Sequence, residues 1–183
     1  FEKMISLAGN KKIIWTIYIR SLAQTRSLGD PYAMDKAASA YQLFPQDETI
    51  FSLYRMLTYG QQRMVEAENL NQQASNLYNN KEFEAAATLF QQAFDKDPLQ
   101  HTYSLNAGLG YYEAKQYDKA LQLFDLALTS KKEDTKERAL RFKGLSLYAA
   151  GRGPEACAVF LRLKNKYPKR MYQQEFQKYC LGK

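Results

Sequence analysis

The sequence predicts an all-α fold made of stacked pairs of antiparallel helices. Three stretches of the 183-residue chain align with one another, and they span residues 69–98, 103–132 and 139–168. Successive copies are offset by 34 and then by 36 residues, and a short turn divides each copy into two helix-like halves. Because a single helix pair cannot cover its own apolar face, such copies stabilise one another by stacking.

The spacing of small and apolar residues indicates the two helices of each repeat. The first half carries a small residue that lets two helices approach closely, at Ala74, Gly108 and Gly144. In the second half of the first repeat, Ala86, Phe90 and Ala93 have the i, i+4, i+7 spacing of one helical face. The equivalent residues of the later repeats are Ala120, Phe124, Ala127, Ala156, Phe160 and Leu163. Pro98 and Pro168 end two of the second helices, because proline cannot continue the hydrogen-bond ladder.

The segments that flank the repeats also have helical patterns. Before the repeats we expect helices at 11–28, 33–45 and 47–57. Gly60 either kinks the last of these or ends it. Because Ala37 and Tyr41 share the alanine-to-aromatic spacing of the repeats, we interpret residues 11–45 as a degenerate repeat. Residues 171–182 are expected to form a terminal helix that covers the last apolar surface, so the chain should contain about nine helices.

The repeats resemble the tetratricopeptide repeat family. Its pattern (W-x2-L-G-x2-Y, then A-x3-F, then P) is matched by the segment AGLGYYEAKQYDKALQLF and its two relatives, although Leu70, Ser104 and Leu140 replace the leading tryptophan. The resemblance implies a right-handed α-α superhelix of helix hairpins with a C-terminal capping helix. The expected domains are N-terminal helices at 1–66, repeats at 67–100, 101–136 and 137–170, and a cap at 171–183.

The resemblance also implies a concave groove, lined by the first helix of each repeat, that binds a peptide or protein segment. The groove residues implied are Asn71, Ser75, Tyr78, Asn106, Leu109, Tyr112, Arg138, Arg141, Leu145 and Tyr148. The three tyrosines occupy equivalent positions and would be apolar anchors, although aromatic residues there can equally cover the next repeat. The two arginines and Asn106 would be polar grips, since a guanidinium binds a carboxylate through two parallel hydrogen bonds.

A specialised ligand of some family members is not expected here. Those members hold the C-terminal carboxylate of a peptide with two lysines, two asparagines and one arginine. In this sequence only Asn106 matches in identity and Arg138 in charge, while Asn71, Ser75 and Phe142 replace the other three. The resemblance therefore does not predict binding to the C-terminal tail of a chaperone.

Nothing in the sequence indicates an active site, so we expect a protein that is not an enzyme and that uses no cofactor or metal ion. The single histidine, His101, lies at a turn between repeats and is expected to be an exposed turn residue. Cys157 and Cys180 lack the spacing of a metal site. Cys157 should be a small buried residue, and whether it pairs with Cys180 stays open.

The charge is distributed unevenly along the chain. The formal net charge is +7, and residues 41–130 carry −5 whereas residues 131–183 carry +9. Such a gradient can orient a charged partner. We expect a protein or peptide partner and leave open that it is acidic or that it is a second copy of the chain. The basic run at 162–170 is interpreted as a solvated helix end rather than a nucleic-acid site, because no nucleic-acid-binding module accompanies it.

Two classes of function follow from these patterns. The first is a non-catalytic scaffold for protein–protein interaction. The second is an accessory domain, without a ligand of its own, in a larger membrane-bound or glycan-handling protein. The first residue is Phe1 rather than Met, so we expect a longer parent protein. No stretch of this chain has the roughly 20 consecutive apolar residues of a transmembrane helix, and the sequence does not assign a compartment.

Overall fold

A computed structural model describes residues 11–182, and these residues form ten α-helices, a terminal π-helical turn and no strand. The helices are α1 (Lys12–Thr25), α2 (Pro31–Leu43), α3 (Glu48–Tyr59), α4 (Gln61–Asn79), α5 (Phe83–Lys96), α6 (His101–Glu113), α7 (Tyr117–Ala127), α8 (Glu133–Ala149), α9 (Gly153–Lys166) and α10 (Arg170–Phe176). The π-helical turn is Gln177–Leu181. The all-α prediction is confirmed. The tenth helix arises because Gly60, at φ +81°, ends α3 instead of kinking a longer helix.

The chain divides into two compact units, Phe1–Ala67 and Glu68–Lys183. In the first unit, Trp15, Ile19 and Leu22 place one face of α1 in the core, and Tyr41 of α2 stacks on Phe51 of α3 with ring centroids 4.9 Å apart. The interpretation of residues 11–45 as a degenerate repeat stays a prediction. None of the helices in the described part of the chain combines the length and the hydropathy that a membrane crossing requires.

In the second unit the small and aromatic residues of the repeats pack against each other. Phe124 and Phe160 are fully buried, and Phe90 is nearly so. The ring of Phe124 lies 2.6 Å from the position that a Cβ on Gly108 would take, and the ring of Phe160 lies 2.9 Å from the corresponding position on Gly144. The first helix and the second helix of a repeat therefore approach closely at the small residue, as the sequence pattern predicts.

One backbone motif closes the first helix of all three repeats. In the first turn, Lys81 N donates to the carbonyl of Tyr78 at 3.0 Å and Glu82 N donates to that of Leu77 at 2.9 Å. The same pair of bonds recurs after α6 and after α8. The residues with positive φ in these turns are Lys81 (66°), Lys115 (59°) and Gly151 (78°). This Schellman-type end satisfies the last carbonyls of the helix and fixes the direction of the chain into the second helix.

The C-terminal end of the array carries a covalent link. Cys157 of α9 and Cys180 of the π-helical turn form a disulfide, with their Cα atoms 5.4 Å apart. That separation lies within the usual range for a disulfide. The question that the sequence left open is therefore answered, and the expectation of a buried Cys157 is corrected, since Cys157 is only partly buried.

Candidate functional site

A pocket of about 310 Å³ opens on the first helices of the three repeats. Helix α4 contributes Ser75, Tyr78 and Asn79, helix α6 contributes Asn106 and Leu109, and helix α8 contributes Arg138. Phe90 of α5 closes it from the side of the second helix. Residues that lie 30 or more positions apart in sequence meet here because each repeat places its first helix beside that of its neighbour.

Arg138 supplies the positive charge of the pocket. Its side chain is half-buried, and it has no carboxylate partner within residues 11–182. Other cations of α8 are already paired, since Arg141 bonds to Glu175 and Lys143 bonds to Asp125. Arg138 therefore presents an uncompensated guanidinium to whatever enters the pocket, and a carboxylate is its natural counterpart.

Polar groups from α4 and α6 surround this charge. Ser75 Oγ donates to the carbonyl of Asn71 at 2.8 Å and keeps its own lone pairs as acceptors. Asn71, which lies one turn earlier on α4 and outside the pocket lining, donates from Nδ2 to Glu68 Oε1 at 3.3 Å, and its Oδ1 is buried without a partner in the described residues. Asn106 adds an amide with two donors to the pocket wall. The lining can therefore both donate and accept hydrogen bonds.

The three groove tyrosines sit at aromatic contacts and remain partly exposed. Each tyrosine ring packs against another aromatic ring. The distance between ring centroids is 5.2 Å for Tyr78 and Phe83, 5.8 Å for Tyr112 and Phe142, and 4.7 Å for Tyr148 and Tyr179. Burial, followed by the charge of Glu113, raises the pKa of Tyr78 and of Tyr112. Like tyrosine hydroxyls of ordinary pKa, both are protonated at neutral pH and can donate a hydrogen bond.

The structure brings half of the predicted groove residues into this pocket. Ser75, Tyr78, Asn106, Leu109 and Arg138 line it. The remaining residues are Asn71, Tyr112, Arg141, Leu145 and Tyr148, and they lie outside its lining. Arg141 and Tyr148 contact the C-terminal segment instead, and Leu145 packs against the buried cluster of the third repeat.

Two further residues line the pocket. Asn79 follows Ser75 by four positions on α4, and the resemblance to the repeat family already places it on the groove face, whereas Phe90 was not predicted to line a groove. Phe90 was assigned to the core, and it is indeed only 4% exposed, yet its ring borders the pocket. No sequence pattern distinguishes a core aromatic ring from one whose edge forms a pocket wall.

His101 differs from the expectation of an exposed turn residue. It begins α6, is partly buried, and its ring lies against Phe94 at 5.9 Å between centroids. Burial lowers the pKa of His101, while nearby Asp97 opposes that change. The expectation overlooked that the turn between the first two repeats is itself packed. No group of three or more His, Cys, Asp or Glu side chains in residues 11–182 has the arrangement of a metal site.

The second unit is a stack of helix hairpins, and its pocket lies on the first helices of those hairpins. Repeat proteins of this class bind other proteins on an extended surface. Residues 71–135 match the family model described as tetratricopeptide repeat. Residues 71–135 are therefore identified as tetratricopeptide repeats, a fold that generally serves protein interaction rather than catalysis.

Comparison with solved structures finds the same fold. The structure titled "First TPR of Spaghetti (RPAP3) bound to HSP90 peptide SRMEEVD" is similar to this chain with a TM-score of 0.56 and 18% sequence identity. The match covers 63% of this chain and 91% of the other. At this level of identity the likeness shows the fold alone. No curated protein matches this chain significantly.

Proposed function

We propose that this protein is a non-catalytic scaffold that binds an acidic peptide or protein segment on the first helices of its repeats. The observation that carries the proposal is the unpaired guanidinium of Arg138 in a pocket with an apolar wall. A guanidinium without an ion-pair partner in the described residues can bind a ligand carboxylate without first breaking an internal ion pair. The solved tetratricopeptide domain holds a peptide that contains two glutamates, which supports a peptide as the kind of partner.

The pocket can recognise a short sequence feature rather than charge alone. Arg138 would bind an aspartate or glutamate side chain through two parallel hydrogen bonds, and the Asn106 amide would donate another. An apolar ligand side chain beside the acid would contact Leu109 and the ring of Tyr78. Because these groups stand on helices packed in a repeat array, the protein loses little conformational entropy on binding.

The remaining predicted groove residues would extend this site. Asn71 lies one helical turn before Ser75 on α4, and its buried Oδ1 would have to turn outward to accept a hydrogen bond from a ligand amide. Tyr112 lies on α6 and Leu145 on α8, and Arg141 and Tyr148 of α8 are in contact with the C-terminal segment. We propose that a longer ligand segment passes over Tyr112 after its acidic side chain is fixed at Arg138, and that it reaches Arg141 and Tyr148 only when the C-terminal segment leaves them.

A selection from a random-peptide phage library tests the proposal. We expect the chain to enrich peptides that contain an acidic residue next to an apolar one. For the selected peptides, Arg138→Ala should weaken the affinity at least tenfold, because a charge-assisted hydrogen bond contributes about 1.5–3 kcal/mol. Arg162→Ala is the matched control, since Arg162 is an exposed arginine of α9 outside the pocket. It should bind as the unchanged protein does.

Two outcomes would contradict the proposal. Equal binding by the Arg138→Ala and Arg162→Ala variants would show that the pocket is not the site. A failure to select any peptide would favour the alternative, an accessory repeat domain without a ligand of its own. The affinity for the selected peptides at rising salt concentration provides a second readout. It should fall, because ionic contacts at a partly exposed site weaken as salt increases.

A further inference from the structure

The C-terminal segment, residues 170–182, is held on the third repeat by few buried side chains. It consists of α10 and the π-helical turn. Tyr172 is the buried residue of α10, and the turn has none. Met171 and Leu181 are 42% and 54% exposed. Helical segments this short are marginal in water by themselves, so the position of this segment depends on its contacts with the repeat.

Those contacts reach the same face of α8 that carries predicted groove residues. Glu175 Oε1 accepts hydrogen bonds from Arg141 Nε at 2.8 Å and from Arg141 Nη2 at 2.6 Å. Tyr179 packs on Tyr148 of α8 and stacks on Phe160 of α9, with centroids 5.1 Å apart in the second pair. Glu175 thus occupies Arg141 in the way a ligand carboxylate would.

The disulfide fastens this segment at its far end. Cys180 lies five residues after Glu175, and its partner Cys157 lies in the first half of α9, 23 positions earlier in the chain. Neither cysteine is fully buried, so a small dithiol is the reductant best suited to the test below. The bond closes a loop that contains α10, and its loss would give the unfastened segment much more conformational freedom.

We propose that the Cys157–Cys180 disulfide is a redox latch. While the disulfide is intact, the C-terminal segment stays on the third repeat and Glu175 stays bound to Arg141. Reduction of the disulfide releases the segment and frees Arg141. That a freed Arg141 then binds a ligand carboxylate rests on the proposed function. The release itself does not, because it involves only residues of this chain.

The chemistry is ordinary thiol–disulfide exchange with a small dithiol as reductant. One thiolate of the dithiol attacks the sulfur of Cys180 and breaks the bond to Cys157, whose thiolate takes up a proton. The second thiolate of the dithiol then displaces Cys180 from the mixed disulfide and closes a cyclic disulfide, and Cys180 is protonated in turn. The protein gains two electrons and two protons, and the dithiol is oxidised.

Amide hydrogen exchange of the unliganded protein tests the latch. We expect reduction with dithiothreitol to speed exchange in residues 170–182 at least tenfold, while helices α5 and α6 keep their protection. The variant Cys180→Ser without reductant should behave as the reduced protein does. Unchanged exchange in both cases would overturn the proposal, because the non-covalent contacts would then suffice to hold the segment.

The Arg141 side chain gives a second, ligand-free readout. Its Nε–H resonance in an NMR spectrum should be protected from solvent in the oxidised protein and lost on reduction. Glu175→Gln should remove the protection in both redox states, which assigns it to this ion pair. Protection that persists after reduction would contradict release of Arg141. Neither measurement uses a ligand, so a failed peptide selection and a failed latch remain distinguishable.

Discussion

At the scale of single residues, two helical glycines decide how closely the helices of a repeat can pack. A Cβ built on Gly108 would lie 2.6 Å from Cε1 of Phe124, and one built on Gly144 would lie 2.9 Å from Cε1 of Phe160. Both phenylalanine rings are fully buried and cannot move aside without opening the core. The small residue of the repeat pattern is therefore a requirement of packing.

We expect Gly108→Ala to destabilise the protein by about 1–3 kcal/mol, the usual cost of overpacking a well-filled core. Urea unfolding followed by far-UV circular dichroism measures the change. Gly153→Ala is the matched control, since no atom lies within 4 Å of the Cβ it would add at the start of α9. That control should be as stable as the unchanged protein or slightly more so. A Gly108→Ala variant of unchanged stability would contradict the packing argument.

The residue scale also shows which of the predicted groove residues lie together. Ser75 and Tyr78 lie on one face of α4, and Asn106 and Leu109 lie on one face of α6, as helical spacing within a repeat predicts, and all four line the pocket. The two arginines could not be told apart in this way. Arg138 is unpaired among the described residues, whereas Arg141 is bound to Glu175, and the carboxylate that makes the difference is 34 positions away.

At the scale of elements, side chains link the start of α8 to the end of α9. Glu133 of α8 accepts a hydrogen bond from Tyr167 Oη at 2.8 Å and pairs with Lys166 at 3.2 Å and with Lys136 on its own helix. Lys136, then Tyr167 and Lys166, lower the pKa of Glu133 from 4.5 to about 2. The ionised carboxylate thus links the two helices of the third repeat more strongly than the protonated acid would.

This linkage predicts a specific pH dependence of stability. Because the pKa of Glu133 is lower in the folded than in the unfolded protein, its contribution is present above pH 4.5 and is lost as the pH falls toward about 2. Glu133 is about half exposed, so the contribution should be small, about 0.5–1 kcal/mol. Glu133→Gln should remove it, which urea unfolding at several pH values measures.

The two stability curves should therefore converge as the pH is lowered from about 5 to about 2. Tyr167→Phe, which removes one hydrogen bond to the carboxylate, should reproduce part of the effect. If the curves for the unchanged protein and for Glu133→Gln run parallel over the whole pH range, this ion-pair cluster does not stabilise the fold.

The elements themselves were largely predictable, and their ends less so. The spacing of Ala86, Phe90 and Ala93 located α5, and proline located the ends of two second helices. The positive φ values of Lys81 and Lys115 were not predicted, because lysine, unlike glycine, does not favour that conformation. There the two backbone hydrogen bonds of the helix end impose the conformation on the residue.

At the scale of the whole molecule, the second unit has its own buried clusters. One cluster joins the first and second repeats around Phe90 and Phe124, and another joins the third repeat to Tyr172 of the C-terminal segment. Such an array is stabilised mainly by contacts between neighbouring repeats. We therefore propose that the predicted repeat domain, residues 67–170 with the cap at 171–183, is an independent folding unit.

A fragment tests this proposal. Residues 61–183, which keep α4 intact, should give a strongly helical circular dichroism spectrum and a cooperative thermal transition. The full chain, measured in the same buffer, is the reference for the helical signal per residue. A fragment that lacks a cooperative transition would show that the second unit does not fold by itself.

The sequence by itself determined the all-α fold and the helix pairs that build it, and it predicted the helix face that each repeat would contribute to a groove. These features follow from the spacing of residues within one repeat of about 34 residues, because helical geometry determines which of those residues share one face of a helix. Only the tertiary structure decided that Arg138 is unpaired among the described residues, that Arg141 is held by Glu175, and that Cys157 and Cys180 are joined. Each of these depends on which residue of a distant element lies opposite, and that is fixed by the packing of whole helices.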